Sequence, residues 1–336
     1  MRVFYCASRH GLGAGGLRYQ IIETLSQLSK YDVDIIKFNP WDEQIKYCDL
    51  CHFFGNNISI LPYMIEAKRF KKKIVLSPVW MKPYTLNYSK LVLWASLKLP
   101  GFSKTFSLTK YMFDISDTII ALNKKEKSII VSVFKQSDKK VVIIPNGCRK
   151  YGQIGPDLFK KTYGISNFVL CVGAIQKRKG QLELIKSIEK LPYSLVIIGG
   201  GSNDEYGKIC KMRASKKVIF IDKLDYHSPL LESAYCAAKV FALISSHEGQ
   251  PLVFPEAALS GNLLITSNSV PSYPGLEKIT YHTSFSVSQI SDTVRQVMEL
   301  NVPKNEIIKV AQNNVLSWKD VAEKILDCYA YLAQYK

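Results

Sequence analysis

Two glutamates, Glu248 and Glu256, flank a turn rich in glycine and proline in the stretch 245–261, SSHEGQPLVFPEAALSG. The apolar run 240–244 before the turn is typical of a buried parallel strand. Pro251 suits the first turn of a helix, because the N–H that it lacks would have no partner there. Gly261 stands where a glycine usually ends a helix. The pattern therefore predicts a strand, a tight turn and a helix that begins between the two carboxylates.

A helix that begins after a strand can bind an anion, because its first backbone N–H groups lack partners inside the helix. Here the N–H groups of Gln250, Leu252 and Val253 would face a phosphate. Carboxylates beside that phosphate are costly unless they accept hydrogen bonds from neighbouring hydroxyls, such as those of a sugar and a ribose. An ordinary strand–helix unit with a solvated glutamate at each end explains the same residues. In both interpretations, neither glutamate side chain is expected in a core.

Basic side chains follow another apolar run in VGAIQKRKG, residues 172–180. The predicted strand ends at Gly173, and Lys177, Arg178 and Lys179 come before the next helix. Cations in this position could clamp a diphosphate. A solvated basic loop is the alternative on a chain with this much positive charge.

A glycine-rich turn, GLGAGG at residues 11–16, follows a predicted strand and precedes an amphipathic helix. The residues Gly11, Gly13 and Gly16 match GxGxxG. A dinucleotide site also needs an acid at the end of the second strand, and Asn39 stands near that position. The fingerprint is thus incomplete. What remains is a turn of small residues that lets a backbone approach a phosphate closely, with a plain strand–helix turn as the alternative.

The composition predicts a globular protein with two domains, since the chain has 336 residues of which 47% are hydrophobic. No apolar run has the length of a membrane span or a signal peptide, so we expect a cytoplasmic protein with reduced thiols. Cys48 and Cys51 form a single CxxC in CDLCHFF, which favours a buried strand over a zinc or redox site. Asp32 and Asp34 spell DxD at a predicted strand entrance, and we expect both to be solvated.

The net charge of +17 is concentrated in residues 1–150, which carry 24 Lys/Arg and 11 Asp/Glu, a balance of +13. Such a surface should meet something anionic, and in the absence of a nucleic-acid-binding motif we expect a membrane surface or a lipid phosphate. Residues 78–113 are rich in aromatic residues and lysine. They predict either an interfacial helix or a helix packed on its own domain.

Strands alternate with helices in both halves of the chain, which predicts two doubly wound parallel sheets with ligands at the carboxyl ends of their strands. Residues 148–167 show no clear periodicity and are interpreted as the linker. The ordered set of motifs resembles the retaining glycosyltransferases of family 4. These motifs are the glycine loop, Asn146-Gly147 after VVIIP, VGAIQKRKG, VIIGGG, the E-x7-E of Glu248 and Glu256, and Ser317-Trp318 before a last helix.

The resemblance covers nearly the whole chain and implies an α/β fold of the GT-B type. Two doubly wound Rossmann-like domains would face a cleft, with a C-terminal helix crossing back to the N-terminal domain. The implied domains are an acceptor-binding domain at 1–155, a nucleotide-sugar-binding domain at 156–316 and the returning helix at 317–336. Val321, Ile325, Cys328 and Leu332 provide the apolar stripe of that helix.

The resemblance also implies roles for single residues. Glu248 would contact the hydroxyls of the transferred sugar as the catalytic residue, and Glu256 would accept hydrogen bonds from the ribose. Lys179, assisted by Arg178, would neutralise the diphosphate, so that no metal cofactor is expected. The residues implied in donor binding are Gly15, Gly16, Arg178, Lys179, Lys223, Leu224, Gln250, Leu252, Val253 and Glu256.

Three departures from the family pattern stand out. Ala174 occupies the place of the usual phosphate-binding arginine, and Gln250-Pro251 follows the glycine after Glu248. The histidine that often follows the fourth strand is absent from LSPVW, which has Ser77 and Trp80. We identify no catalytic base, and the leaving phosphate of a retaining enzyme can itself take the acceptor's proton.

The resemblance implies transfer of a sugar from a UDP- or GDP-linked donor to a glycan or lipid-linked saccharide. It indicates a role in surface polysaccharide synthesis, peripheral to the inner face of the membrane. A GT-B nucleotide-sugar epimerase is one alternative, although the dense set of acids that it would need is not evident. A dinucleotide-binding oxidoreductase using GLGAGG is another, and an inactive sugar- or lipid-binding module is a third.

Overall fold

The computed structural model describes residues 1–7, 15–39, 41–80, 86–149, 151 and 153–334. Gly11 and Gly13 of the glycine-rich turn lie outside the described residues. The chain divides into two compact units, one formed by Met1–Gly147 with Leu316–Lys336 and the other by Cys148–Val315.

The first unit is built on a parallel sheet of six strands. Its strands are β1 (Arg2–Ala7), β2 (Asp34–Lys37), β3 (Leu50–Phe54), β4 (Lys73–Ser77), β5 (Thr118–Ala121) and β6 (Val141–Ile143). They lie in the order β2-β1-β3-β4-β5-β6. Every residue of β3 is buried, as expected for a strand covered by helices on both faces. The helices before residue 148 are α1 (Gly16–Leu28), α2 (Gln44–Tyr47), α3 (Leu61–Arg69), α4 (Leu86–Lys98), α5 (Thr105–Ile115) and α6 (Lys124–Ser132).

The second unit repeats this architecture with another strand order. Its strands are β7 (Val169–Val172), β8 (Leu195–Ile198), β9 (Val218–Ile221), β10 (Val240–Leu243), β11 (Leu263–Ser267) and β12 (Thr280–Thr283). The order β9-β8-β7-β10-β11-β12 is the order 3-2-1-4-5-6 of the Rossmann fold. The helices are α7 (Asp157–Tyr163), α8 (Gln181–Ile188), α9 (Glu205–Arg213), α10 (Pro229–Ala237), α11 (Val253–Leu259), α12 (Val287–Glu299) and α13 (Lys304–Asn314). The predicted pair of doubly wound parallel sheets is confirmed.

The predicted linker was wrong over part of its length, because α7 lies inside it. The side chain of Phe159 is fully buried and its ring packs against that of Phe168. The helix contacts α10 and ends at Gly164, whose φ of 70° is a left-handed conformation suited to glycine. Seven residues are too few to show a helical repeat in sequence, so the helix could be recognised only from the packing of Phe159.

The last helix, α14 (Trp318–Gln334), returns to the first unit and contacts α1. This confirms the predicted return of the C-terminal helix. Of the predicted stripe, Val321, Ile325 and Leu332 are buried, while Cys328 is half-buried. The buried Tyr329 lies 2.6 Å from the Tyr5 hydroxyl, measured between oxygens. The last helix therefore completes the core around the first strand.

The Tyr329 hydroxyl also lies 2.6 Å from Nδ1 of the buried His52 in β3. Nε2 of His52 lies 2.9 Å from the hydroxyl oxygen of Ser77 at the end of β4. Burial lowers the pKa of His52 to about 3, so the ring is neutral at physiological pH. A neutral ring bonded on both nitrogens is a structural link between the sheet and α14.

Two minor expectations are confirmed. Cys48 and Cys51 are buried free thiols whose sulfurs are 3.4 Å apart. Asp32 and Asp34 are exposed at the entrance of β2, where Asp34 pairs with Arg2 across 3.4 Å. None of the helices in the described ranges is both long and apolar enough to cross a bilayer.

Candidate functional site

The site lies where the strand order of the second sheet reverses, between β7 and β10. These strands are hydrogen-bonded neighbours and run parallel, so the loops after them leave the same edge of the sheet. The next strand after β7 lies on one side and the next after β10 lies on the other. The two loops therefore diverge and leave a crevice, which is the usual ligand site of such sheets. The basic loop follows β7, and the glutamate turn follows β10.

The two loops touch at Gly180. A side chain added there would collide with the carbonyl oxygen of Ile244, and the φ of 67° also favours glycine. The backbone N–H of Ser246 donates to the carbonyl of Arg178 across 2.7 Å. Close backbone contact thus fixes the basic turn Lys177–Lys179 against the segment that leads to Glu248.

Glu248 lies in the middle of the positive charge that follows β7. One of its oxygens, Oε1, is 2.5 Å from Nζ of Lys179 and 2.8 Å from Nη1 of Arg178. The same oxygen accepts a hydrogen bond from the Ser245 hydroxyl at 2.9 Å. The structure therefore brings together the three side chains that the sequence assigned to the diphosphate and the sugar.

The environment of Glu248 keeps it ionised. Burial opposes the charge, since only 8% of the side chain is exposed. Lys179 and Arg178 outweigh that effect, helped by the hydrogen bonds from Lys179 and Ser245, so the pKa of Glu248 is lowered. A buried carboxylate held by two cations corrects the expectation that Glu248 would lie outside a core. The burial of Glu248 depends on charged side chains in a loop about 70 residues away in the sequence. The spacing of apolar residues near Glu248 cannot reveal such partners.

Glu256 lies in α11 in a different environment and is also buried, which corrects the second half of that expectation. Its Oε2 accepts a hydrogen bond from the Tyr235 hydroxyl at 2.8 Å. Burial raises the pKa of Glu256 to about 7, although Tyr235, Arg149, Tyr151 and Tyr226 oppose the shift. The spacing of the two glutamates gave no sign of these partners, because they come from three other segments of the chain.

The remaining predicted residues lie in the turn before α11, after β9, or in the other unit. The helix α11 begins at Val253, so Pro251 lies before the helix whose first turn it was expected to join, and Gln250 is buried in the same turn. Lys223 is exposed and Leu224 half-buried after β9, and Lys223 lies beside Gly200 at the end of β8.

Gly15 and Gly16 belong to the first unit, where Gly15 has a φ of 151° and Gly16 begins α1. Asn39, near the position where a dinucleotide site needs an acid, donates from its side-chain amide to Asp42 at 2.5 Å. In the described part of the chain, no three His, Cys, Asp or Glu side chains are grouped as metal ligands.

Comparison with known proteins identifies the second unit. The sequence profile of the glycosyl transferases group 1 family matches residues 159–314. Residues 159–314 belong to the glycosyl transferases group 1 family. An uncharacterised glycosyltransferase of Methanocaldococcus jannaschii is 29% identical over 245 residues, which are 67% of this chain and 56% of that relative. The chain thus matches little more than half the length of this curated relative.

Solved structures of the GT-B type share the fold of this chain. Sucrose-phosphate synthase of Thermosynechococcus elongatus is 15% identical, with a TM-score of 0.74 and full coverage of both chains. HepE of Anabaena, crystallised with UDP-glucose, is 13% identical with a TM-score of 0.72, over 98% of this chain and all of that one. These likenesses confirm the predicted GT-B fold, and the family match confirms the predicted family.

We expect Lys179→Met to lower the free energy of unfolding by about 3 kcal/mol, because a buried carboxylate loses a cation. Urea unfolding followed by circular dichroism measures the change. Lys177→Met is the matched control, since it removes an exposed lysine from the same turn, and its effect should stay within about 0.5 kcal/mol. The double variant Lys179→Met/Glu248→Gln should recover part of the loss. A double variant whose loss equals the sum of the two single losses would contradict the coupling.

Proposed function

We propose that this group 1 protein is a retaining glycosyltransferase that moves a sugar from a nucleoside diphosphate donor to a glycan or lipid-linked saccharide, in surface polysaccharide synthesis. The observation that carries the proposal is the cluster of Lys179, Arg178 and Glu248 at the reversal point of the second sheet. Two cations fixed by a backbone contact suit a diphosphate, and an ionised carboxylate beside them suits sugar hydroxyls. The UDP-glucose bound by HepE belongs to the same class of donor.

The cluster has a simple way to couple binding to chemistry. Without a donor, Glu248 neutralises Lys179 and Arg178. A bound diphosphate pairs with these two cations and partly replaces Glu248 as their partner. The oxygens of Glu248 can then accept hydrogen bonds from the sugar. As the bond between the sugar carbon and the phosphate oxygen breaks, Lys179 stabilises the charge on the phosphate. Glu248 offsets the positive charge on the sugar carbon.

The acceptor oxygen forms its bond to that carbon on the same face, and its proton passes to the leaving phosphate. This scheme retains the configuration at the sugar carbon and requires no separate protein base. It also assigns the stabilisation of the leaving group to Lys179 and Arg178, so we propose that transfer does not require a metal ion.

A thermal-shift panel in EDTA tests the donor class. UDP- and GDP-linked sugars should raise the melting temperature of the protein, because ligands that bind only the folded state stabilise it. NAD and NADP serve as the comparison for the oxidoreductase alternative. Stabilisation by NAD alone would contradict the proposal. Slow release of UDP or GDP from the donor without acceptor separates an enzyme from an inactive binding module.

Steady-state kinetics of two glutamine variants test the separate roles of the glutamates. Glu256→Gln should raise the donor KM more than it lowers kcat, because a ribose contact exists both before and during the reaction. Glu248→Gln should chiefly lower kcat, because its interaction grows in the transition state. Both side chains are buried, so circular dichroism must first show that each variant is folded. Folded variants with unchanged kinetics would show that the spacing has no catalytic meaning.

The first unit carries a surface suited to the lipid side of this function, on α4. Tyr88, Leu91, Trp94 and Leu97 recur every three residues and are each at least half exposed. The other side of α4, which includes the buried Leu93, packs on α5. The helix therefore packs on its own unit along one side, and its exposed apolar side supports the proposal of an interfacial helix.

The positive charge around this exposed face indicates that its partner is anionic. Lys90 and Lys98 are exposed on α4 itself, and residues 1–150 carry a balance of +13. The acidic Asp114 on α5 is paired with Lys110 at 2.7 Å. Aromatic and aliphatic side chains between lysines suit the interface of an anionic bilayer. We therefore propose that α4 lies on the membrane that carries the acceptor.

Sedimentation with vesicles tests this surface. The protein should bind vesicles of phosphatidylcholine with phosphatidylglycerol more tightly than phosphatidylcholine alone, and salt should weaken the binding. Trp94→Ser should reduce the affinity about tenfold, because it removes a large apolar side chain from the interface. Trp41→Ser is the matched control, since Trp41 is 91% exposed and lies outside α4. Equal losses in the two variants, or no binding at low salt, would contradict the proposal.

A further inference from the structure

A cage of tyrosines surrounds the second glutamate of the site. The Tyr235 hydroxyl, from α10, donates to Oε2 of Glu256 at 2.8 Å. Tyr226, from the loop after β9, and Tyr151, from the segment that enters the second unit, also favour its ionised form and lower its pKa. An ionised carboxylate has about four acceptor positions. Tyr235 fills one of them, so positions remain for a ligand hydroxyl.

Arg149 lies behind this cage and acts on it through Tyr151. Its Nη2 donates to the Tyr151 hydroxyl at 2.9 Å, and its Nη1 lies 3.3 Å from Nδ1 of His227. The guanidinium carbon lies 4.4 Å from the centre of the Tyr151 ring and 4.9 Å from that of Tyr226. Two aromatic faces and a hydrogen bond thus fix the position of the cation.

The chain of contacts transmits positive charge to Glu256. The Tyr151 hydroxyl accepts a hydrogen bond from Arg149, its ring packs on Tyr235, which donates to Glu256, and it lowers the pKa of the carboxylate. A hydroxyl that accepts from a cation becomes a stronger donor. The charge of Arg149 also lowers the pKa of Glu256 directly. Nε of Arg149 is buried without a hydrogen-bond partner, so the guanidinium has one donor that the protein leaves unused.

We propose that Arg149, acting through Tyr151, is a positioning residue that keeps Glu256 oriented and ionised as the acceptor for the donor's ribose. The inference rests on the proposed function, since it takes a nucleoside diphosphate as the ligand. A protonated Glu256 would offer one acceptor fewer to the ribose hydroxyls. The relay keeps the acceptor available in a place where burial alone would favour the neutral acid.

The sign of the pH dependence follows from the groups that face Glu256. These are Tyr235 from α10, Tyr226 from the loop after β9, and Arg149 and Tyr151 from the segment that enters the unit. The pKa values of Tyr151 and Tyr235 are raised, so both remain donors at neutral pH. Burial raises the pKa of Glu256 from 4.5 to about 7. Affinity for the nucleotide should therefore rise as the pH rises through about 7 and then level off.

Tyr151→Phe removes only the hydroxyl of the relay. The ring that Arg149 stacks on, and that meets the Tyr235 ring edge-on at 5.6 Å, stays in place. Isothermal titration calorimetry with UDP and with GDP, from about pH 6 to about pH 9, measures the effect. We expect the Kd of the bound nucleotide to rise about tenfold at neutral pH. The midpoint of the pH profile should move upward, and the affinity should approach that of the wild type at the highest pH.

Two further variants keep the result interpretable. Arg149→Met should shift the pH profile in the same direction even if Tyr151→Phe does not fold, and Arg149→Lys should restore part of the affinity because it keeps the charge. Tyr163→Phe is the control, since that tyrosine packs on Phe159 in the same unit. An unchanged profile in Tyr151→Phe, or an equal loss at every pH, would overturn the positioning role. A wild-type protein that binds neither UDP nor GDP would overturn the proposed function and this inference together.

Discussion

A buried carboxylate needs positive charge close by, and the loop after β7 provides it for Glu248 through Lys179 and Arg178. This local balance explains why the two loops must touch. Gly180 has no side chain, so its backbone can lie against Ile244, and the two cations then reach Glu248. The Rossmann strand order in turn makes β7 and β10 neighbours. The ion pair thus depends on the sheet, and the site depends on the ion pair.

The two glutamates of one short motif are placed in opposite electrostatic environments. Glu248 meets full charges, which lower its pKa, while Glu256 meets hydroxyl groups and a more distant cation, so burial dominates and raises its pKa to about 7. Paired carboxylates with separated pKa values commonly divide their work, one remaining an anion while the other responds to pH. The same residue type can therefore hold two different ligand groups eight positions apart.

Much of the fold could be predicted, because buried parallel strands such as Val240–Leu243 are short apolar runs that composition reveals. The stripe of α14 was recognisable for the same reason, through Val321, Ile325 and Leu332. α7 was not, since a seven-residue helix has too little length for a repeat. The places of Lys179 and Glu248 followed from the two strands that precede them, while the roles proposed for them came from the family resemblance. The influence of Arg149 and Tyr151 on Glu256 could not be predicted from the local sequence, because it arises only when the segments that carry these residues pack together.

The position of α14 in the sequence delays the completion of the first unit during synthesis. Residues 148–315 of the second unit are complete before α14 leaves the ribosome, while the sheet that began the chain still lacks that helix. Until then Tyr5 and His52 have no Tyr329 to hydrogen-bond, and polar groups in the interior of the first unit stay unpaired. The first unit is therefore completed only after the whole second unit has been translated.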